Sequence, residues 1–301
     1  MRSLKVNYKD QFEGVEEKPK SYHELADKFE WAKRDVDQDM EGHIYNECNG
    51  FLDFHLANQV DKVIVECGCG LGRNLHRYSR ENKCIGVDFS STGLQKIRLF
   101  ETGTKPLKSD IRHVALETGS ADFVIFSNVL FIYEDLNEVL KMLKEAHRIL
   151  KENGKIIVIN DYCSVAVRLS QLFQIPQAWF TNTHNDSKDK QFMLYYYSKA
   201  ESKRLLELAG FTGCDSHLCN SHLGVYHVTY LNLLACLFLR GHRRHKKVRR
   251  MDHWERVRKS NSVNGAYPLS PLGRLVAAVS NRFFPSLASL SVCFSASKTV
   301  N

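Results

Sequence analysis

Val63-Ile-Val-Glu-Cys-Gly-Cys-Gly-Leu-Gly-Arg-Asn74 is an apolar run that reaches an acid and then places a glycine at every second position. The run predicts a buried strand ending near Glu66, then a turn in which Gly68, Gly70 and Gly72 present no Cβ. A helix after such a turn lets backbone N–H groups approach a ligand closely, so the stretch reads as a nucleotide-type cofactor loop. A second apolar strand, Lys83-Cys-Ile-Gly-Val-Asp88, follows the loop and ends in a carboxylate. The interval from Gly68 to Asp88 suits an acid accepting hydrogen bonds from a ribose diol.

Two common glycine loops do not complete here. The dinucleotide pattern G-x-G-x-x-G would need its third glycine at Arg73, where a side chain would crowd helix against strand. A phosphate-binding P-loop ends in G-K-[ST], and Gly72-Arg-Asn74 supplies neither the lysine nor the hydroxyl. With an acid two residues before the first glycine, E-x-G-x-G-x-G resembles motif I of the class I S-adenosylmethionine-dependent methyltransferases.

The resemblance runs from about residue 60 to residue 211. It implies an α/β fold: a Rossmann-like, seven-stranded, mostly parallel sheet flanked by helices, its last strand antiparallel. It also implies S-adenosylmethionine as cofactor, with Glu66, Gly68, Gly70 and Gly72 in the loop. By the same resemblance Asp88 holds the ribose hydroxyls, Phe89 packs on the adenine, Asp110 takes the adenine amino group, and the Ile111 backbone N–H meets a ring nitrogen. Ala121–Asn128 is similar to the family's fourth strand, with Asn128 at its end. Glu134 to Leu150 predicts an amphipathic helix closed by Asn153-Gly154, and Lys155–Asn160 a fifth strand. Tyr197 to Phe211 is similar to the helix before the sixth strand, and Ser289–Lys298 to the closing strand. Plainer roles stand beside these: a helix cap for Glu66, a turn for Ser109-Asp110, backbone satisfaction for Asn128.

Four segments follow: a helical cap over 1–60, a cofactor-binding core over 61–220, a basic and amphipathic insertion over 221–288, and the last strand with its tail over 289–301. Tyr22, Phe29 and Trp31 are candidates to cover the cofactor. Nine cysteines with no C-x-x-C pair argue against a disulfide framework or a structural zinc site, so no metal is expected. The N-terminal stretch Met1 to Asp10 lacks an apolar h-region, which points to the cytosol.

The acceptor is read from what the core does not absorb. Residues 161–196 exceed a simple connection and carry Trp179, Phe180 and the run Phe192–Tyr197, suiting a small, lipophilic or carrier-linked molecule methylated on oxygen or nitrogen. Methyl transfer from a sulfonium mainly needs alignment. His184 is the candidate base, and Tyr133 and Asp161 are candidates to orient the acceptor. Arg240 to Lys259 carries ten Lys or Arg against Asp252 and Glu255, a net +8 that equals the charge of the whole chain. With the apolar run 228–239 before it and a helical face including Leu275, Val279 and Phe283 after it, the segment 228–284 reads either as a solvated charge run between two ordinary core helices or as a segment suited to an anionic membrane surface. Two alternatives stay open. One is an RNA methyltransferase using the basic insertion, less favoured because [DNS]-P-P-[YF] is missing after the fourth strand. The other is a non-catalytic regulatory protein that binds S-adenosylmethionine.

Overall fold

The computed structural model describes residues 4–8, 46–70, 72–99, 103–130, 135–162, 164, 192–221 and 271–299. Alternation in its short apolar strands organises the fold. In chain order these residues form β1 (Leu4–Tyr8), α1 (Asn46–Leu56), β2 (Val63–Cys67), α2 (Arg73–His76), β3 (Lys83–Asp88), α3 (Ser91–Leu99), β4 (Lys105–Lys108) and β5 (Ala121–Ser127). They continue as α4 (Leu136–Ile149), β6 (Leu150–Asp161), β7 (Phe192–Tyr196), α5 (Lys199–Leu208), β8 (Phe211–Ser221), α6 (Pro271–Phe283), α7 (Pro285–Ala288) and β9 (Ser289–Lys298).

Seven strands make one sheet in the order β4-β3-β2-β5-β6-β9-β8. The first five are parallel, and β9 runs antiparallel to both β6 and β8. Because side chains alternate along a strand, odd and even positions feed different layers. Val65, Val124, Ile156, Val158 and Phe294 pack with Val139, Met142, Leu143 and Ala146 of α4. Ile64, Ile125, Ile157 and Cys293 pack with Cys48, Leu52 and Leu56 of α1. Both faces are covered, which is why the parallel strands read as nearly unbroken Val and Ile.

Two expectations need correction. The sequence predicts a helical cap over residues 1–60; Asn46–Leu56 is helical, but Leu4–Tyr8 is a strand. It pairs antiparallel with β7, Val6 opposite Leu194 and Tyr8 opposite Phe192. A partner so far along the chain leaves no local signature. Asn153-Gly154 also does not close the helix before the fifth strand. Asp135 caps that helix at its start, accepting from the Asn137 N–H at 2.8 Å, and the helix ends at Ile149. There the carbonyls of Arg148 and Ile149 accept from the Gly119 and Ser120 N–H groups at 3.0 and 2.9 Å, satisfying groups a helix end leaves bare. Leu150 then joins the sheet opposite Ala121, and Asn153, at φ 60°, bends the chain inside β6. The residues of the basic run 240–259, with Tyr22, Phe29 and Trp31, lie outside the described residues.

Candidate cofactor and active site

The strand order reverses at β2. β3 and β4 lie on one side of it, β5 and β6 on the other, so a crevice opens between the carboxyl ends of β2 and β5, where ligands of open α/β sheets bind. The glycine loop crosses this point. Gly68, Gly70 and Gly72 have φ of 73°, 55° and 73°, the left-handed region that favours glycine. A Cβ on Gly68 would also stand 2.4 Å from Val129 Cγ2, just beyond β5. The loop folds back onto the end of β3: the Gly68 and Cys69 N–H groups donate to Val87 O at 2.7 and 3.1 Å. Gly86 of β3 leaves the room this needs, since a Cβ there would lie 2.8 Å from Cys69 Sγ.

Two acids stand at this end of the sheet. Asp88 is buried; its Oδ2 accepts the Gly70 N–H and its Oδ1 the Ser90 N–H, both at 2.8 Å. Its carboxylate therefore fixes the loop's shape. Phe89 follows, half-buried, with the Lys108 ammonium 5.8 Å from its ring centre, a cation–π distance. Glu66 is only 2 % exposed, and Asn74 Nδ2 donates to its Oε1 at 2.6 Å. Its Oε2 is buried and has no partner among the described residues. Burial pushes the Glu66 carboxyl up to about 7, and the Asn74 hydrogen bond opposes that rise.

Across the crevice, Asn128 directly follows β5 at φ 57°, a conformation asparagine tolerates better than most residues. Its N–H donates to Ile159 O at 2.8 Å, while its Oδ1 is buried without a partner among the described residues. Beyond β4, Asp110 is engaged by Arg112. The guanidinium Nε reaches both carboxylate oxygens at 2.9 and 3.0 Å, and Nη1 bridges to Glu138 at 2.5 Å. Ile111 is buried in the core layer beneath α4. Asp161 ends β6 at the same sheet edge, paired with Ser291. Tyr133 and His184 lie outside the described residues.

Asn74, Gly86, Val129 and Arg112 escape a reading of motifs. Each acts on a motif residue through space. Only Asn74 leaves a trace in the sequence, in the first helical turn after the loop, where a side chain can turn back to the strand end.

These residues fit S-adenosylmethionine. The loop offers Cβ-free backbone that any side chain at Gly68 would close, and two buried oxygens, Glu66 Oε2 and Asn128 Oδ1, end neighbouring strands without partners among the described residues. A family model described as a methyltransferase domain matches residues 65–158, from β2 through most of β6. The chain carries a class I S-adenosylmethionine-dependent methyltransferase domain. The methyltransferase domain is similar, at 33% identity over 102 residues, to an uncharacterized protein of Methanocaldococcus jannaschii; the match covers 34% of this chain and 42% of that one. It is also similar to a phosphatidylethanolamine N-methyltransferase of Cereibacter sphaeroides, 26% identical over 105 residues, 33% of this chain and 50% of the other. The matched segments thus span about half the length of these curated relatives. Among solved structures, phosphoethanolamine N-methyltransferase 2 of Haemonchus contortus with S-adenosyl-L-methionine superposes at a TM-score of 0.52 and 14% identity. That alignment covers 85% of this chain and 53% of the other, a likeness of fold.

Proposed function

We propose that the chain transfers a methyl group from S-adenosylmethionine to an amine or hydroxyl of a small lipophilic acceptor held at an anionic membrane surface. The observation that carries the first half is the crevice itself, with the glycine loop, Asp88, Glu66 and Asn128 converging on the strand-order reversal. When bound, S-adenosylmethionine supplies a methyl group on a positively charged sulfur. In this reading the Asp88 carboxylate, already pinned by two backbone N–H groups, holds the ribose hydroxyls, and Phe89 lies against the adenine. Arg112 fixes the Asp110 carboxylate, so an adenine amino group would share an acceptor already charge-paired. Glu66 Oε2 and Asn128 Oδ1 accept from the donors of the amino-acid portion. Asp161, two strands from β2 at the carboxyl end of the sheet, orients the acceptor, and Tyr133 and His184 remain the sequence's further candidates for acting on it.

Support for the second half comes from α6 and from the sequence before it. Leu275, Val279 and Phe283 recur every fourth residue and are 61%, 46% and 65% exposed, with Phe284 following at 56%. Exposed apolar residues in one helical row, preceded by a basic run, have the composition of an interfacial helix. No helix among the described residues is long and apolar enough to cross a membrane. The match to a phosphatidylethanolamine N-methyltransferase favours nitrogen on a lipid headgroup as the acceptor atom.

Labelled S-adenosylmethionine, incubated with the protein and fractionated host extract, tests the reading. Label should enter the lipid fraction, and Asp88→Ala should abolish it. Label confined to RNA or to polar metabolites would overturn the acceptor assignment, and cofactor binding without any transfer would favour a regulatory role. Flotation with anionic vesicles should retain the chain and release Leu275→Ser/Phe283→Ser; equal retention by neutral vesicles would overturn the surface assignment.

A further inference from the structure

On the face of the sheet covered by α1, three cysteines from distant parts of the chain meet. Cys48 comes from α1, Cys219 from β8 and Cys293 from β9, and all three are buried at 2% exposure or less. Their sulfur atoms lie within 4.8 Å of one another, with Cys219 and Cys293 Sγ 3.5 Å apart. We propose that these three thiols form a binding site for one thiophilic divalent ion of the zinc class, clamping α1 onto the β8–β9 edge.

The geometry is the first reason. Metal–sulfur bonds of about 2.3 Å require three thiolates to stand about 3.8 Å apart around a tetrahedral ion and about 4.0 Å around a planar one. The observed separations, from 3.5 Å to at most 4.8 Å, bracket both values. The donor set is the second reason. Three sulfurs select soft d10 ions over the hard, oxygen-seeking magnesium and calcium. The third is charge. Bare thiolates in this layer would be costly to bury, whereas a dication displacing three protons leaves one net negative charge: M2+ plus three R–SH gives [M(SR)3]− plus three H+. Ser291, fully buried on β9, hydrogen-bonds Cys48 and stands beside the site as a hydroxyl neighbour.

The sequence offers no hint of this site, because metal motifs are recognised by short spacing. Cys48 precedes the glycine loop, Cys219 follows the whole parallel part of the sheet, and Cys293 lies beyond the insertion. The expectation of no structural zinc site rested on that local rule and on the odd number of cysteines. The site is also separate from the glycine loop and independent of the methyl-transfer reading.

The experiment uses the full chain, reduced and stripped with chelator, titrated with Zn2+ against a chromogenic competitor and with Cd2+ for its thiolate charge-transfer absorbance. One equivalent should bind, the cadmium band should have the intensity of three thiolates, and the melting temperature should rise with free metal. Cys48→Ser, Cys219→Ser and Cys293→Ser should each weaken binding about tenfold or more. Cys84→Ser, a buried thiol of the same layer outside the cluster, should leave it unchanged. Absence of stoichiometric uptake by the wild type would overturn the proposal, whatever the variants do. So would full-affinity binding in a folded Cys48→Ser protein, or a Cys219–Cys293 disulfide in the protein as isolated.

Discussion

Replacing Glu66 by glutamine should remove a pH dependence of stability that the wild type carries. Burial raises this carboxyl from 4.5 to about 7. At about 1.4 kcal/mol per pKa unit, the difference of 7 − 4.5 corresponds to about 3 kcal/mol. The folded state holds the proton more tightly than the unfolded state. Below about pH 4 both states are protonated, and the residue adds no pH-dependent term. As pH rises from there to about 8, the unfolded chain ionises first and the wild type loses those roughly 3 kcal/mol. Glutamine keeps an acceptor for the Asn74 amide and cannot ionise. It places an NH2 where Oε2 sits, a pH-independent cost of about 1–3 kcal/mol. The decisive quantity is therefore the slope: urea unfolding of both proteins across that range should show the variant gaining about 3 kcal/mol on the wild type. A stability difference that stays flat, or falls, with rising pH would refute the buried, raised carboxyl. S-adenosylmethionine affinity supplies an independent reading, because an ionised Glu66 accepts more strongly: it should rise through pH 7 in the wild type and stay level in Glu66→Gln.

Gly68→Ala should lose most cofactor affinity by calorimetry, since its Cβ would meet Val129 at 2.4 Å in a left-handed backbone that costs about 1–2 kcal/mol by itself. Adding Val129→Ala should recover the steric part only; full recovery would show that the backbone angle is unimportant. Asp88→Asn retains one carbonyl oxygen for two N–H donors, Gly70 and Ser90, and should cost about tenfold or more in cofactor affinity and about 1–3 kcal/mol in stability, with a lowered melting temperature. Asn74→Ala deletes the hydrogen bond that opposes the rise of the Glu66 carboxyl, so the pH at which affinity increases should move upward; an unmoved profile would remove Asn74 from the site.

Local chemistry made the cofactor end of the fold legible. Three glycines in left-handed backbone and two strand-terminal acids act through neighbours close by in the chain, and a linear pattern reports such relations well. Ser289–Lys298 was also readable as the closing strand, because alternation and a terminal lysine survive any insertion before it; Lys298 Nζ donates to Leu150 O at 2.8 Å. What escaped depends on contacts between distant segments. β1 is a strand because β7 pairs with it, the α4 helix stops early because Gly119 and Ser120 claim its carbonyls, and Arg112, two residues from Asp110, is held by Glu138 of α4.

The same division separates the cofactor end of the sheet from the acceptor side. In a doubly wound sheet the carboxyl ends of β2, β3 and β5 are brought together by hydrogen-bonded register alone, so any sequence that makes these strands also makes the crevice. The acceptor side has no such constraint. Asp161 reaches the carboxyl end of the sheet through β6, where the ladder of β6 with β9 stops, and among the described residues pairing resumes only at β7, with β1. The proposal therefore carries a prediction about segments whose sequence the sheet does not dictate. Variants in 162–191 should change which molecule is methylated while leaving S-adenosylmethionine affinity within about twofold. A coupled loss of both would mean that this segment also builds the cofactor pocket, and the separation drawn from the sheet topology would fail.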